Sequence, residues 1–295
     1  MVNERTESND HAERAKIAGV GRISGGTYES VKVSGSGVVD GDVSAGTIGV
    51  AGSCKINGSA RADEIKTAGS CRVKGEVRAE ELRTSGSCAI DGAIAADTLK
   101  CSGSQRVDDS VNAGYVKISG SIRVKGNLET DRFVSEGSFR VEGLLSGDEV
   151  AIQLGGNCQA QEIGGERIEV RSGASRGFDP EEGSKHAERQ SRDDPWTFRE
   201  MGLGIDVDWR KMTREMSKLG SKLGNLGLSM TGIGGHGTLR ADAIEGDEIY
   251  LESTQAKLVR GKRVLIGPDC EIERVEYEDE IRVHDQADVA ETAQT

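Results

Sequence analysis

IGVAGSCKINGSARADE, beginning at Ile48, is followed without a gap by IKTAGSCRVKGEVRAEE from Ile65 and LRTSGSCAIDGAIAADT from Leu82. Stacked on one another, these 17-residue copies agree position by position, and a fixed period overrides any local reading of helix or strand. One copy precedes them at Val31, and others start at Leu99, Val116, Phe133 and, more loosely, Val150. The odd positions carry the pattern: an aliphatic residue or Phe first, Gly fifth, Val or Ile ninth, Gly eleventh, and a small or aliphatic residue thirteenth. Such alternation is that of β-strands. Repetition without insertion makes each copy one turn of a coil, with short strands meeting at Gly corners and three sides to a turn. A single turn cannot stand alone, because its backbone entropy is offset only by stacking on its neighbours. The fold class expected is an all-β solenoid.

Composition agrees with an extended core. The chain has 41 Gly, 3 Pro and 3% aromatic residues, thin material for a compact globule. A formal net charge of -12 argues against general binding to nucleic acid or anionic membranes. Residues 1–18 contain no apolar run of signal-peptide length, and nowhere is there an apolar stretch long enough to span a bilayer, so a cytoplasmic location is expected. The six Cys, at 54, 71, 88, 101, 158 and 270, form no CxxC pair and are expected to be reduced thiols.

The repeat decays after Ala151, giving a division into a polar tail over 1–20, solenoid over 21–172, an insert over 173–232, further turns over 233–283 and a second polar tail over 284–295. The insert begins as a charged, Gly- and Ser-rich loop. After Pro195, Trp209, Met212, Met216, Leu219 and Leu223 recur at helical spacing, with Arg210, Lys211, Arg214, Lys218 and Lys222 on the other side. The spacing suggests a basic amphipathic helix that caps the solenoid, binds a partner protein or contacts the inner face of the membrane peripherally, with a disordered segment as the alternative because Gly220, Gly224 and Gly227 weaken the helix. Strand alternation returns with anchors at Ile249, Val264 and Ile281.

The elements SGSGVVDGDV, AGSCKINGSA, AGSCRVKGEV and SGSIRVKGNL, within residues 31–147, resemble the bactofilins, a polymer-forming cytoskeletal family of bacteria. The closing block GTLRADAIEGDEIYLESTQAKLVRGKRVLIGPDCEIERVEYEDE resembles the C-terminal part of the longer Firmicutes members. The resemblance implies a right-handed β-helix that polymerises end to end without nucleotide and serves cell shape, motility or the positioning of other proteins. The insert, and an N-terminus without an apolar targeting peptide, depart from the compact members.

An exposed core at the two ends would form the polymer interface: Ile23, Val31, Val33, Val39 and Val43 at one, Val264, Ile266, Ile272 and Ile281 at the other. Cys54, Cys71 and Cys88 share the seventh position of consecutive turns, which suggests either a metal site or buried packing. Inward parity, and Ile122 and Phe139 at the same position further on, favour packing. Lys55, Arg72, Arg106, Arg123 and Arg140 make a basic column, and Asp63, Glu80, Asp97, Asp131 and Asp148 an acidic one. Both suit a solvated surface or lateral and partner contacts, and no aromatic residues interleave for nucleic acid.

Catalysis is not expected. All four His lie outside the regular repeat, and the 17-residue period does not fit the hexapeptide acyltransferases, whose solenoid turns are multiples of six. No cofactor or metal is implied. The two readings carried forward are a self-assembling filament protein and a non-polymerising scaffold that binds a partner or membrane through the insert and the charged columns.

Overall fold

The structure, a computed structural model, describes residues 13–172 and 237–295. The amphipathic segment from Trp209 to Leu223, with its flanking Arg and Lys, lies outside the described residues. Within them there is no helix. Strands pair in parallel throughout, forming a β-solenoid of about 13 turns.

One central turn shows how the sequence makes the coil. Ser70–Val73 is a four-residue strand and Val77–Thr84 an eight-residue one. Each lies in register between its counterparts one period away, so Cys71 pairs with Cys54 and Cys88, and Leu82 with Ile65 and Leu99. The longer strand bends at Glu80, which drops out of the pairing between Ala79 and Glu81. With corners at Ala68–Gly69 and Lys74–Glu76, each turn therefore has three short sides.

The Ser-Gly-Ser corner is the tightest of the three. Gly52, Gly69, Gly86, Gly103 and Gly120 stack so closely that a Cβ on any of them would lie 2.0–2.1 Å from the carbonyl oxygen of the glycine one turn before. Those carbonyls are ladder acceptors, as in Ser87 N–H to Gly69 O at 2.9 Å and Ser104 N–H to Gly86 O at 2.9 Å. Only glycine lets consecutive corners approach near enough to make them.

Alternation fills the interior. Val107, Val116, Ile118, Val124, Leu128 and Phe133 are fully buried, and Phe133 meets Phe139 edge to face with ring centroids 5.3 Å apart. The column crosses the insert without interruption: Ile168 pairs with Ile249, and Ile249 with Val264. Residues 239–266 thus continue the same coil, in turns shortened to 15 residues, as Leu239 pairs with Thr254.

Both polar tails are part of the coil where the structure describes them. Glu13–Ile17 (β1) is a strand paired with Val20–Val33 (β2), although residues 1–20 read as a tail. Asp288–Gln294 (β19) pairs with Glu271–Val283 (β18), although 284–295 read the same way. In an outermost turn only one residue in two faces inward, so Ala15, Ile17, Ala287 and Val289 suffice to pack on the core while the rest stays polar.

Candidate assembly surfaces

The two end turns form the first surface. β1 and β19 each pair with one strand only, and so leave one edge of backbone N–H and C=O groups unpaired among the described residues. Above that edge lie Ala15 and Ile17 at one end, and Ile281, Val283, Ala287 and Val289 at the other.

The sequence places both ends too far inward. Val31, Val33, Val39 and Val43 are at most 3% exposed, covered by β1 and β2, and Ile23 packs half-buried beside them. Val264, Ile266 and Ile272 are equally enclosed, under β18 and β19, and of the residues expected there only Ile281 reaches the last turns. These positions are interior rungs. The signal that would have found the true ends is faint: ERAKI and DVAETAQ carry inward residues at alternate positions, but the turn from Ile17 to Val33 is 16 residues and breaks the period.

The Cys column is confirmed as core. Cys54, Cys71 and Cys88 stack in register, and all six Cys are buried free thiols. Burial pushes Cys101 and Cys158 up to about 11 and Cys270 up to about 12, which keeps them protonated and poorly nucleophilic. No cluster of His, Cys, Asp or Glu with metal-binding geometry occurs among the described residues. One member of the column departs from the apolar reading: Gln105, one turn beyond Cys88, is 2% exposed, and neither its Nε2 nor its Oε1 has a partner.

The charged columns differ from one another. Arg72 pairs with Asp91, and Arg106 with Asp108, at 3.1 and 3.0 Å. Glu81 is held by Arg83 and by Lys100 one turn on, which bring its carboxyl down to about 2. Such exposed pairs are worth about 0–1 kcal/mol each. By contrast, Asp63, Glu80, Asp97, Asp131 and Asp148, on the third corner, make no ion pair among the described residues. Nor do Arg123 and Arg140.

No family model matches the chain, and no solved structure does. Two curated proteins of Bacillus subtilis (strain 168) are similar over short stretches. The uncharacterized protein YhbF is 62% identical over 42 residues, 14% of this chain and 18% of its own length. The uncharacterized protein YhbE is 64% identical over 39 residues, 13% of this chain and 16% of its own length. The chain therefore matches less than a fifth of either relative, and neither printed name gives an activity.

Proposed function

We propose that this protein is a bactofilin-like cytoskeletal scaffold that assembles end to end into filaments, without nucleotide, metal or catalytic activity, in the cytoplasm. The observation that supports it best is the pair of end turns. Each exposes, among the described residues, a parallel strand edge above apolar residues. A second copy seated on an end would continue the hydrogen-bond ladder and cover Ala15, or Ile281 and Val289, as interior turns are covered. A homopolymer of this kind needs no other partner, and its roles would be cell shape, motility or the positioning of other proteins.

Negative-stain electron microscopy of the purified protein without nucleotide tests this reading. Filaments are expected, and they should shorten or vanish in Ala15→Asp and in Val289→Asp, each of which puts an unpaired charge in an end layer. A variant lacking residues 176–232 should still assemble. Arg61→Asp is the control, because Arg61 is exposed on an interior turn with a paired strand on each side. Unchanged far-UV circular dichroism in the variants separates lost assembly from lost fold. Discrete rods from the unmodified protein at all concentrations would overturn the proposal in favour of a non-polymerising scaffold.

A further inference from the structure

The coil widens at one place. Between Phe139 and Cys158 the period grows to 19 residues, as Arg140 pairs with Gln159, and the register shifts between Val141 and Leu144. The next strand on this face is Leu239–Leu251, which resumes after the insert with Arg240 beside Gln159. The result is a groove of about 270 Å³ crossing four successive turns, lined by Ser121, Arg123, Ser138, Arg140, Asn157 and Arg240 among others.

Arginine is concentrated along it. Arg72 and Arg106, earlier in the same column, are each matched by an Asp, whereas Arg123 and Arg140 have no acid and no hydrogen-bond partner among the described residues. Arg240 donates from Nε to Gln255 Oε1 at 2.9 Å and likewise has no acid partner. Glu142, two residues beyond Arg140 on the same strand, makes no ion pair with it. Arg123 and Arg140 are register partners on adjacent strands, as are Ser121 and Ser138 two residues earlier, in a chain whose net charge is -12. Like charges directly opposite on paired strands repel, and neither arginine closes an ion pair among the described residues.

We propose that this groove binds a phosphate group. A tetrahedral oxyanion placed between Arg123 and Arg140 can accept from both guanidinium forks and from the hydroxyl of Ser121 or Ser138, with Asn157 and Arg240 closing the far side. Guanidinium suits phosphate because its fixed donors meet two oxygens at once, and the charge-assisted bonds are short and strong. A solitary carboxylate offers fewer acceptors to so many donors. A small soluble molecule and a lipid headgroup present the same phosphate chemistry to these donors.

Isothermal titration calorimetry of the full chain with inorganic pyrophosphate, and co-sedimentation with phosphatidylglycerol vesicles beside uncharged phosphatidylcholine vesicles, distinguish the two sources. Binding in either arm is expected to fall at least tenfold in the double variant Arg123→Gln, Arg140→Gln, and to survive in Arg72→Gln, whose side chain is already paired. The double variant removes no contact within the described fold, so its thermal melting should match the unmodified protein. Glu142→Gln, which removes the nearest acid along the strand, should tighten binding. No binding in either arm, or equal binding by the double variant, would overturn the proposal.

Discussion

Gly103→Ala and Gly49→Ala are the same chemical change in the same fold, and the structure expects them to have opposite signs. A Cβ on Gly103 would lie 2.0 Å from Gly86 O and 2.6 Å from Ser85 O, where contacts under 3.0 Å are essentially never tolerated. Both atoms are main chain, and Gly86 O already accepts from Ser104 N–H at 2.9 Å. Relief therefore needs about 1 Å of backbone movement, which stacked turns on both sides resist. Overpacking costs roughly 1–3 kcal/mol and a disturbed ladder bond about 1 more, so a loss of about 2–4 kcal/mol is expected. Gly49 faces outward on the next side, with nothing within 4 Å of the same added atom. There alanine should stabilise by about 0.5–1 kcal/mol, because a strand glycine carries excess unfolded-state entropy.

Urea titration followed by circular dichroism reads the sign of each change as a shift in midpoint. Because long arrays depart from two-state behaviour, amide exchange supplies the local measure. Protection should drop at Ser87, Ser104 and Ser121 in Gly103→Ala and be unchanged there in Gly49→Ala. A Gly103→Ala midpoint at or above that of the unmodified protein would show that the corners are not packed as described, and the account of the Ser-Gly-Ser column would fail with it.

Gln105→Leu should raise the urea midpoint by the equivalent of about 1–2 kcal/mol, since a buried amide left without partners costs roughly 1–3 kcal/mol; a lowered midpoint would mean that the amide is satisfied inside the coil. Glu81 is more acidic when folded, at about 2 against an ordinary 4.5, chiefly through Arg83 and then Lys100. Its contribution is thus complete above pH 4.5 and is lost as pH falls toward 2, so Glu81→Gln should flatten the decline of melting temperature within that window. Identical slopes for the two proteins would show that the pairing does not persist in solution.

What the sequence made legible follows from stacking. Identical positions meet across a strand pair, so the Val39, Ile56 and Val73 column declares its burial through repetition alone, and the Gly column declares its corner. Parity also placed Cys54, Cys71 and Cys88 inside, against the metal site their alignment suggested. Pairing on the outer surface was less legible. Arg72 and Arg123 occupy the same position of their turns, and Asp91 and Glu142 the same position one turn on, yet only Arg72 closes an ion pair. The groove was invisible because it depends on two extra residues in one turn and on Arg240, which reaches Gln159 only across the insert.

The ends were misread for a physical reason of their own. An interior turn is sandwiched, so its inward positions must be filled on both sides and the repeat is enforced. A terminal turn packs on one side only, and its free edge would pair indiscriminately with any strand if it were as apolar as the rest. Charge on the exposed positions limits that pairing, and β1 accordingly carries Glu13 and Arg14 before its two inward residues and Lys16 between them, while β19 carries Asp288 and Glu291. The residues that restrain an exposed edge are those that make its sequence read as a polar tail. In a solenoid whose ends are its proposed assembly surfaces, the functional turns are therefore the ones in which the repeat is weakest.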